Sequence, residues 1–212
     1  MSIPPVIQYI HFMNSGGAGL DMFMAPLERL NLRALRSRLV ARATGRVLEV
    51  GAGTGVNISH YNRQTVESLH VSDMDLHYGR VLRRRRAVRP LPFPVRFTDA
   101  DVQRLPFEDA SFDTVVFTLL FCSVADPDAG LAEIRRVLAP GGQLIFIEHV
   151  LPSARTLSAL FRHITPAWRR VAGNCHLDRA TVPRIRNAGF TVRIEAAPGL
   201  GIFVGGTGIR TT

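Results

Sequence analysis

The sequence contains no lysine and only two cysteines among its 212 residues. Cys122 and Cys175 cannot supply a disulfide framework or a four-ligand zinc site, so we expect a reduced, cytoplasmic compartment and no metal. The most apolar run, 114–124, contains polar residues and is about half the ~20 residues that a membrane-spanning helix needs. Residues 1–13 have no basic stretch before an apolar one, which argues against a signal peptide.

Without lysine, arginine carries all 26 basic charges against 17 acidic ones, which leaves a net charge of +9. Such a charge makes nucleic acid or an anionic membrane surface a candidate partner, and genome composition is the plainer explanation. The arginines avoid the glycine-rich motif described below, so we expect a solvated surface and no nucleic-acid binding. Weak peripheral attraction to an anionic membrane stays open. The arginines predicted on the outer face of the first helix are Arg29, Arg33, Arg36, Arg38 and Arg42.

The length and a hydrophobic fraction of 46% indicate one folded domain. Apolar spacing predicts a helix over Leu20–Ala43, ended by Gly45. Beyond it, short apolar runs alternate with helical patterns, which predicts a doubly wound α/β fold with a mostly parallel sheet. The predicted strands are Arg46–Gly51, Ser68–Asp73, Val95–Asp99, Thr114–Thr118, Gln143–His149, Phe190–Glu195 and Gly201–Val204. The predicted helices between them are Asp75–Val88, Asp128–Leu138 and Thr181–Ala188.

A glycine-rich turn follows the first predicted strand: Val47-Leu-Glu-Val-Gly51-Ala-Gly-Thr-Gly55. Glycine permits positive backbone angles and lets a ligand approach the main chain. The spacing Gly-x-Gly-x-Gly differs from the dinucleotide fingerprint, and the Gly-Lys-Ser/Thr of a P-loop is absent. Glu49, two residues before the first glycine, would repel a pyrophosphate but would suit a cationic ligand.

Acidic residues also end the second and third predicted strands. Asp73 is placed to accept hydrogen bonds from the two hydroxyl groups of a ribose, and we assign Asp75 as the cap of the following helix. Asp101 follows the third strand, where a carboxylate can bond an exocyclic adenine amine. The plainer alternative for Asp101 is a loop carboxylate that faces water.

These motifs resemble class I S-adenosylmethionine-dependent methyltransferases. The resemblance rests on Glu49–Gly55, on Asp73 and on Asp101-Val-Gln-Arg-Leu-Pro-Phe107. Glu108-Asp-Ala-Ser-Phe-Asp113 and Glu133-Ile-Arg-Arg-Val-Leu-Ala-Pro-Gly-Gly142 are typical of the ubiquinone/menaquinone methyltransferase branch. Thr118-Leu-Leu-Phe-Cys-Ser-Val124, Ile147-Glu-His-Val150, Trp168 and the stretch 173–181 look like the methyltransferase-like seven family, whose animal members methylate small thiols. Pro183 departs from that family and predicts that the next helix starts at Thr181.

The resemblance implies a seven-stranded sheet whose last strand is antiparallel, and S-adenosylmethionine as cofactor. It implies that Glu49, Gly51, Ala52, Gly53, Thr54 and Gly55 line the methionine part of the cofactor. Asp73 is then expected to hold the ribose and Met74 to pack on the adenine. Asp101 and Val102 are expected to flank the adenine, and Thr118 and Leu119 to contact the methionine part from below.

The resemblance also divides the domain, residues 1–212, into functional parts. Residues 1–44 are expected to form a lid and a helix, with a glycine hinge at 16–19, and 45–150 the cofactor-binding core. Residues 151–180 are expected to be a helical insertion on the acceptor side. Apolar residues there and near the N-terminus suit a small lipophilic acceptor. They are Tyr9, Phe12, Met13, Met22, Phe23, Met24, Leu157, Leu160, Phe161 and Trp168.

The sequence therefore predicts a methyltransferase for a small lipophilic acceptor, with a thiol first. The alternatives are a phospholipid amine, a quinone ring carbon, and a silent cofactor-binding module. A thiol needs little help to lose its proton, whereas a hydroxyl or carbon acid needs a base. His149 follows the fifth strand and is the candidate base, with a histidine that merely closes the strand as the alternative. Cys122 is expected to pack as a small apolar group, and Cys175-His176 to line the pocket or form a structural loop.

Overall fold

The computed structural model describes residues 32–74, 90–172 and 174–211, which form one sheet with helices on both faces. The strands are β1 (Gly45–Val50), β2 (Val66–Asp73), β3 (Val95–Asp99), β4 (Phe112–Thr118), β5 (Leu138–His149), β6 (Phe190–Ala196) and β7 (Phe203–Arg210). The helices are α1 (Arg33–Val40), α2 (Pro127–Val137), α3 (Arg155–Val171) and α4 (Thr181–Asn187), with a 3₁₀ helix over Val56–His60.

The strand order is β3-β2-β1-β4-β5-β7-β6. Strands β1 to β5 pair in parallel, whereas β7 runs antiparallel to both of its neighbours, β5 and β6. The predicted seven-stranded, mostly parallel sheet with an antiparallel last strand is therefore confirmed. Strands β2 and β3 lie on one side of β1, and β4 and β5 lie on the other, so the strand order reverses between β1 and β4. Ligands of such sheets bind at the carboxyl ends of the strands beside this switch point.

The alternation of side chains along the central strands decides which residues share a face. One face packs on α1, and its core includes Val47, Val116, Ile145 and Ile147. The other face packs on α2, and its core includes Leu48, Val115, Phe117 and Phe146. Because successive side chains point to opposite faces, Glu49, Thr118 and His149 lie on the α1 face. Glu148 lies on the α2 face.

Helix α1 rests on a glycine of β7. A Cβ atom on Gly205 would lie 2.8 Å from side-chain carbons of both Leu35 and Leu39. Any side chain at this position would therefore force these leucine side chains to shift. Leu35, Leu39 and Val40 are fully or almost fully buried, so the contact is part of the main core.

Element boundaries test the remaining predictions. Helix α4 begins at Thr181, as Pro183 predicts, and the segment between β3 and β4 contains no helix among its described residues. The last predicted strand, Gly201–Val204, was placed wrongly: β7 runs Phe203–Arg210 because its glycines pair as ordinary strand residues. Helix α1 ends at Val40, before Gly45. The predicted lid, its hinge, residues 20–31 of the first helix, Asp75 and the helix Asp75–Val88 lie outside the described residues.

No helix among the described residues is both long enough and apolar enough to cross a bilayer.

Candidate active site

The glycine-rich turn after β1 has the backbone conformation that its glycines predict. Gly51, Gly53 and Gly55 adopt φ angles of 67°, 53° and 75°, a region that other residues rarely occupy. The Gly53 amide donates a hydrogen bond to Asp73 Oδ2 at 2.7 Å, which joins the ends of β1 and β2. A Cβ atom on Gly53 would meet no atom within 4 Å, whereas one on Gly51 would lie 2.6 Å from Leu120 Cδ1. The space beside Gly53 is therefore open to a ligand.

Glu49 lies at the centre of a buried polar network below this turn. Its side chain is 1% exposed, and both oxygens accept hydrogen bonds. Asn57 Nδ2 donates to Oε1 at 2.9 Å, and the Tyr61 hydroxyl group donates to Oε2 at 2.8 Å. Asn57 Nδ2 also lies 3.2 Å from Thr118 Oγ1, at the end of β4. The network thus joins the first and fourth strands where the ligand edge is predicted.

Burial raises the pKa of the Glu49 carboxyl group to about 7. The hydrogen bonds from Tyr61 and Asn57 and the charge of Arg36 oppose this rise. The nearby Asp73 carboxylate adds to it. Near neutral pH the group therefore exchanges its proton readily, and a cation placed beside it would favour the ionised form.

Arg36 contradicts the prediction that the arginines of the first helix are solvated. Its side chain is 3% exposed. Its Nη1 atom donates to Asn57 Oδ1 at 2.7 Å and to Thr118 Oγ1 at 2.8 Å. The surface assignment was wrong for this residue because Arg36 lies four residues after the buried Leu32, within the stripe that α1 turns to the sheet. Arg33 and Arg38 are exposed as predicted, and Arg29 lies outside the described residues.

The residues predicted to surround the ribose and adenine lie at the ends of β2 and β3. Met74 is 68% exposed, so its side chain is accessible to a ligand. Val102 is 4% exposed and is packed in the core. The Asp101 carboxylate accepts hydrogen bonds from the Gln103 amide at 2.9 Å and from Gln103 Nε2 at 2.8 Å. Gln103 Oε1 in turn accepts the Asp126 amide at 2.8 Å, which fixes this loop to the start of α2.

The turn after β4 is held by Glu148, a residue that the sequence did not single out. Glu148 is fully buried, and its Oε1 accepts the backbone amides of Leu120 at 2.8 Å and Phe121 at 3.0 Å. Its Oε2 has no hydrogen-bond partner among the described residues. Burial raises the pKa of this carboxyl group to about 8. Leu119, predicted to touch the cofactor, adopts a positive φ of 54° in the same turn.

His149 lies on the α1 face at the end of β5 and is 8% exposed. Its ring stacks on Phe161 of α3, with ring centres 5.9 Å apart, and meets Phe203 edge-on at 5.6 Å. Burial lowers the pKa of the imidazole to about 4, so the ring is neutral at physiological pH. It is therefore a weak base that can still accept a hydrogen bond, and its catalytic role stays a prediction.

The stretch around the second cysteine lies against the first, because the His176 amide donates to the Cys122 carbonyl group at 2.7 Å. Both thiols are free. The interaction with Cys122 and the positive charge of Arg179 lower the pKa of Cys175 despite its burial. Arg179 also donates to the carbonyl groups of Phe121 at 2.5 Å and Val124 at 2.6 Å. The stretch around Cys175 is thus attached to the turn after β4, and its predicted place at the pocket stays a prediction.

Four residues of this edge were not identified from the sequence as parts of the site: Arg36, Asn57, Tyr61 and Glu148. Asn57 and Tyr61 follow the glycine turn, and their polarity within a buried segment is the signal that points to them. Glu148 precedes His149 in a strand whose other central residues are apolar, so a carboxylate there requires partners. The helical position of Arg36 within an apolar stripe is the corresponding signal for α1.

Comparison with known proteins agrees with this arrangement. A family model described as a methyltransferase domain matches residues 48–146. Human thiol S-methyltransferase TMT1B is 35% identical over 164 residues, which cover 74% of this chain and 65% of that protein. Demethylmenaquinone methyltransferase of Deinococcus radiodurans is 35% identical over 139 residues, which cover 63% of this chain and 57% of the relative. The chain therefore spans less than two thirds of the length of these relatives.

Among solved structures, the [4+2]-cyclase SpnF matches with a TM-score of 0.67 at 19% identity. The match covers 85% of this chain and 80% of the cyclase. This likeness concerns the fold, and a cyclase on the same fold shows that the fold alone does not decide the reaction. The family model and the two relatives add sequence evidence over the glycine turn and the strands around it. Residues 48–146 thus match a methyltransferase domain, on a fold shared with solved class I methyltransferase-like structures, and S-adenosylmethionine is the cofactor of that family.

Proposed function

We propose that this protein transfers a methyl group from S-adenosylmethionine to a small lipophilic acceptor, with a thiol as the first candidate. The observation that carries the proposal is the buried Glu49 carboxyl group between an open glycine turn and Thr118. A carboxylate beside main-chain glycines suits a positively charged ligand and would repel a phosphate. The relatives named for methyl transfer support the same reaction.

The residues present fit the cofactor. When bound, S-adenosylmethionine supplies a methyl group on a positively charged sulfur, which is already a good leaving group. In the proposal, Glu49 and the turn 51–55 hold its methionine part, with Thr118 and Leu119 below. Asp73 accepts the ribose hydroxyl groups, and Asp101, Met74 and Val102 surround the adenine. Alignment of acceptor and methyl group within a dry site is worth about 7–11 kcal/mol in well-oriented cases.

The acceptor side of the proposed site is apolar. Helix α3 presents Leu157, Phe161 and Trp168 as half-buried side chains, and Phe161 contacts His149. We assign residues 151–180 to acceptor binding on this ground. A thiol has a reference pKa near 8.5, so it loses its proton without a strong base. The neutral imidazole of His149 suits orientation of such an acceptor better than abstraction of a proton from a carbon acid.

A quinone ring carbon is the second candidate acceptor. The relative from Deinococcus radiodurans, named as a demethylmenaquinone methyltransferase, favours it, and a quinone would also suit an apolar lining. A carbon acceptor needs a base, and His149 at the end of β5 is the candidate on the face that carries the proposed site. A phospholipid amine is the third candidate and would need only an exposed lone pair.

Calorimetry and a methylation screen test the proposal in two steps. We expect S-adenosylmethionine to bind the protein, and the Glu49→Ala variant to bind it at least tenfold more weakly. A screen with isotopically labelled cofactor then compares small thiols, phosphatidylethanolamine and demethylquinones by mass spectrometry. Methylation of the quinone alone would refute the thiol assignment. No cofactor binding by a folded protein would refute methyl transfer altogether, and binding without any transfer would indicate a silent module.

We propose in addition that this protein is cytoplasmic and binds weakly to the surface of anionic membranes. Helix α3 carries four exposed arginines and no acidic residue: Arg155, Arg162, Arg169 and Arg170. Leu160 is 51% exposed and Ile164 is 36% exposed on the same helix, a combination found in helices that lie on membrane surfaces. Sedimentation with vesicles that contain phosphatidylserine should show binding in low salt and release in high salt. No binding in low salt would refute the attachment.

A further inference from the structure

The side chain of Arg36 connects the first described helix to the floor of the proposed site. Arg36 comes from α1, a helix that no part of the cofactor motif includes. Arg36 is 3% exposed, and its Nη1 atom donates to Asn57 Oδ1 at 2.7 Å and to Thr118 Oγ1 at 2.8 Å. Burial of a charged side chain is costly unless its donors are satisfied, so this placement needs its partners.

The partners of Arg36 are themselves fixed around Glu49. With its oxygen held by Arg36, the Asn57 amide group has its nitrogen turned toward Glu49 Oε1 at 2.9 Å. Asn57 is 1% exposed, so it has no freedom to rotate into solvent. Arg36 thereby determines which way round the Asn57 amide lies, and with it the donor that Glu49 receives.

Charge adds to this geometric effect. The groups that face Glu49 are Arg36 from α1, Tyr61 and Asn57 from the segment after the glycine turn, and Asp73 from β2. Of these, Arg36 supplies a positive charge and Asp73 a negative one. Arg36 therefore favours the ionised form of Glu49, which a cationic ligand requires.

We propose that Arg36 is a positioning residue of the cofactor site, which orients Asn57 and Thr118 and keeps Glu49 ready for a cationic ligand. This inference rests on the proposed function, because it assumes that the ligand binds beside Glu49. It makes α1 a part of the binding site and not merely a cover for the sheet.

Substitution of Arg36 by methionine tests the proposal, with binding of S-adenosylmethionine measured by calorimetry from pH 6 to pH 8. Loss of buried hydrogen bonds from a charged donor should weaken binding by about 10- to 100-fold. The wild-type affinity should rise as the pH passes about 7, where Glu49 ionises, and Arg36→Met should move that rise to higher pH. The titration of the cofactor itself is common to all variants and cancels in the comparison.

Matched variants separate positioning from folding. Arg33→Met changes an exposed arginine of the same helix and should alter affinity less than twofold. Glu49→Gln should abolish the rise with pH. If circular dichroism shows that Arg36→Met is unfolded, Arg36→Lys and Arg36→Gln replace it: the glutamine variant should move the pH midpoint upward, and the lysine variant should leave it in place.

Two results would overturn the proposal. One is a folded Arg36→Met variant with wild-type affinity. The other is a uniform loss of affinity with an unchanged pH midpoint, which would reduce Arg36 to a structural role. A folded wild-type protein that does not bind S-adenosylmethionine would instead refute the proposed function itself.

Discussion

Glu49 and Glu148 are two buried carboxyl groups near the carboxyl ends of β1 and β5, and they accept hydrogen bonds from different kinds of donor. Glu49 is held by the side chains of Asn57 and Tyr61, on the face that carries α1. Glu148 is held by two backbone amides, on the face that carries α2, and its second oxygen has no partner among the described residues. A carboxylate that receives side-chain donors can adjust to a ligand, whereas one that receives main-chain donors fixes the path of a loop.

In the proposed function Glu49 faces the ligand, whereas Glu148 holds the turn after β4 through two backbone amides. Burial alone does not separate these roles, because both groups have a pKa raised by burial, to about 7 and about 8. What separates them is whether the backbone depends on the carboxylate. Substitutions at or beside Glu49 should therefore affect ligand binding more than stability. Substitutions at Glu148 should affect stability more than ligand binding.

The largest expected effect is a loss of cofactor binding at the glycine turn near Glu49. Gly53→Arg should abolish binding of S-adenosylmethionine, because a side chain there fills the open space beside the turn. The cost in stability should be only about 1–2 kcal/mol, from a left-handed backbone angle that disfavours a Cβ atom. Calorimetry and urea denaturation measure the two quantities. Wild-type affinity in this variant would mean that the ligand site is assigned to the wrong loop.

The next largest effect is on the free energy of unfolding, through substitution of Glu148. Glu148→Leu should lower the free energy of unfolding by about 1–3 kcal/mol for each of the two amides, Leu120 and Phe121, that it leaves without an acceptor. Glu148→Gln keeps an acceptor oxygen and is the matched control, which should stay near the wild type in urea denaturation. Equal stability of the leucine variant would show that these two hydrogen bonds contribute nothing to the fold.

The pH dependence of stability should be smaller and should distinguish the two carboxyl groups. Each pKa is raised on folding, so each of these carboxyl groups binds more protons in the folded state, and its contribution to stability is lost as pH rises from about 5. Each group contributes at most about 1.4 kcal/mol per pH unit. The fall should end near pH 7 for Glu49 and near pH 8 for Glu148.

Thermal denaturation between pH 5 and pH 9 measures this dependence in the two glutamine variants. Glu49→Gln should remove the part of the fall that ends near pH 7, and Glu148→Gln the part that extends to pH 8. The range stops at pH 5 because Asp113 and Glu133 have pKa values lowered by arginine partners and reverse the trend in acid. Burial lowers the pKa of His149, which adds stability as pH rises toward 6.5, so the quantity compared is the difference between each variant and the wild type. A difference that does not change between pH 5 and pH 8 would contradict the prediction.

The smallest effect concerns the cysteine loop that supports the Glu148 side. Cys175, whose pKa is lowered by its interaction with Cys122 and by the charge of Arg179, should react with iodoacetamide faster at neutral pH than an ordinary thiol. Cys122 is 5% exposed, and its pKa is raised by the hydrogen bond with Cys175 and by burial, so it should stay unlabelled. Peptide mass spectrometry locates the label, with Cys175→Ser as the control. Preferential labelling of Cys122 would contradict this order.

Prediction from sequence succeeded where local patterns decide the structure. The Gly-x-Gly-x-Gly turn predicted positive backbone angles, and the acidic end of β2 predicted a carboxylate beside it; the Gly53 amide bonds Asp73. The start of α4 at Thr181 followed from the restricted backbone of Pro183. The number of strands and the antiparallel last strand followed from the family resemblance, because periodicity alone does not set the direction of a strand.

Prediction failed where distant contacts override a local pattern. The last strand was predicted near Gly201–Val204, yet it continues through the glycines of β7 to Arg210, because α1 and β6 approach closely on either side of them. Arg36 read as a surface residue because arginine usually is one, although its spacing from Leu32 places it in the buried stripe. Glu148 was overlooked beside His149, because nothing local shows that two amides of another loop need an acceptor.

Gly205 lies in the last strand, and its lack of a side chain affects the packing of α1, the first described helix. Leu35 and Leu39 lie against it, and Arg36 stands between them on the same helix turn. A methyl group added at position 205 would force the ends of the Leu35 and Leu39 side chains to shift and would disturb the packing of the helix that carries Arg36. A screen for variants that lose the cofactor should therefore recover substitutions in the last strand, in residues that no ligand touches.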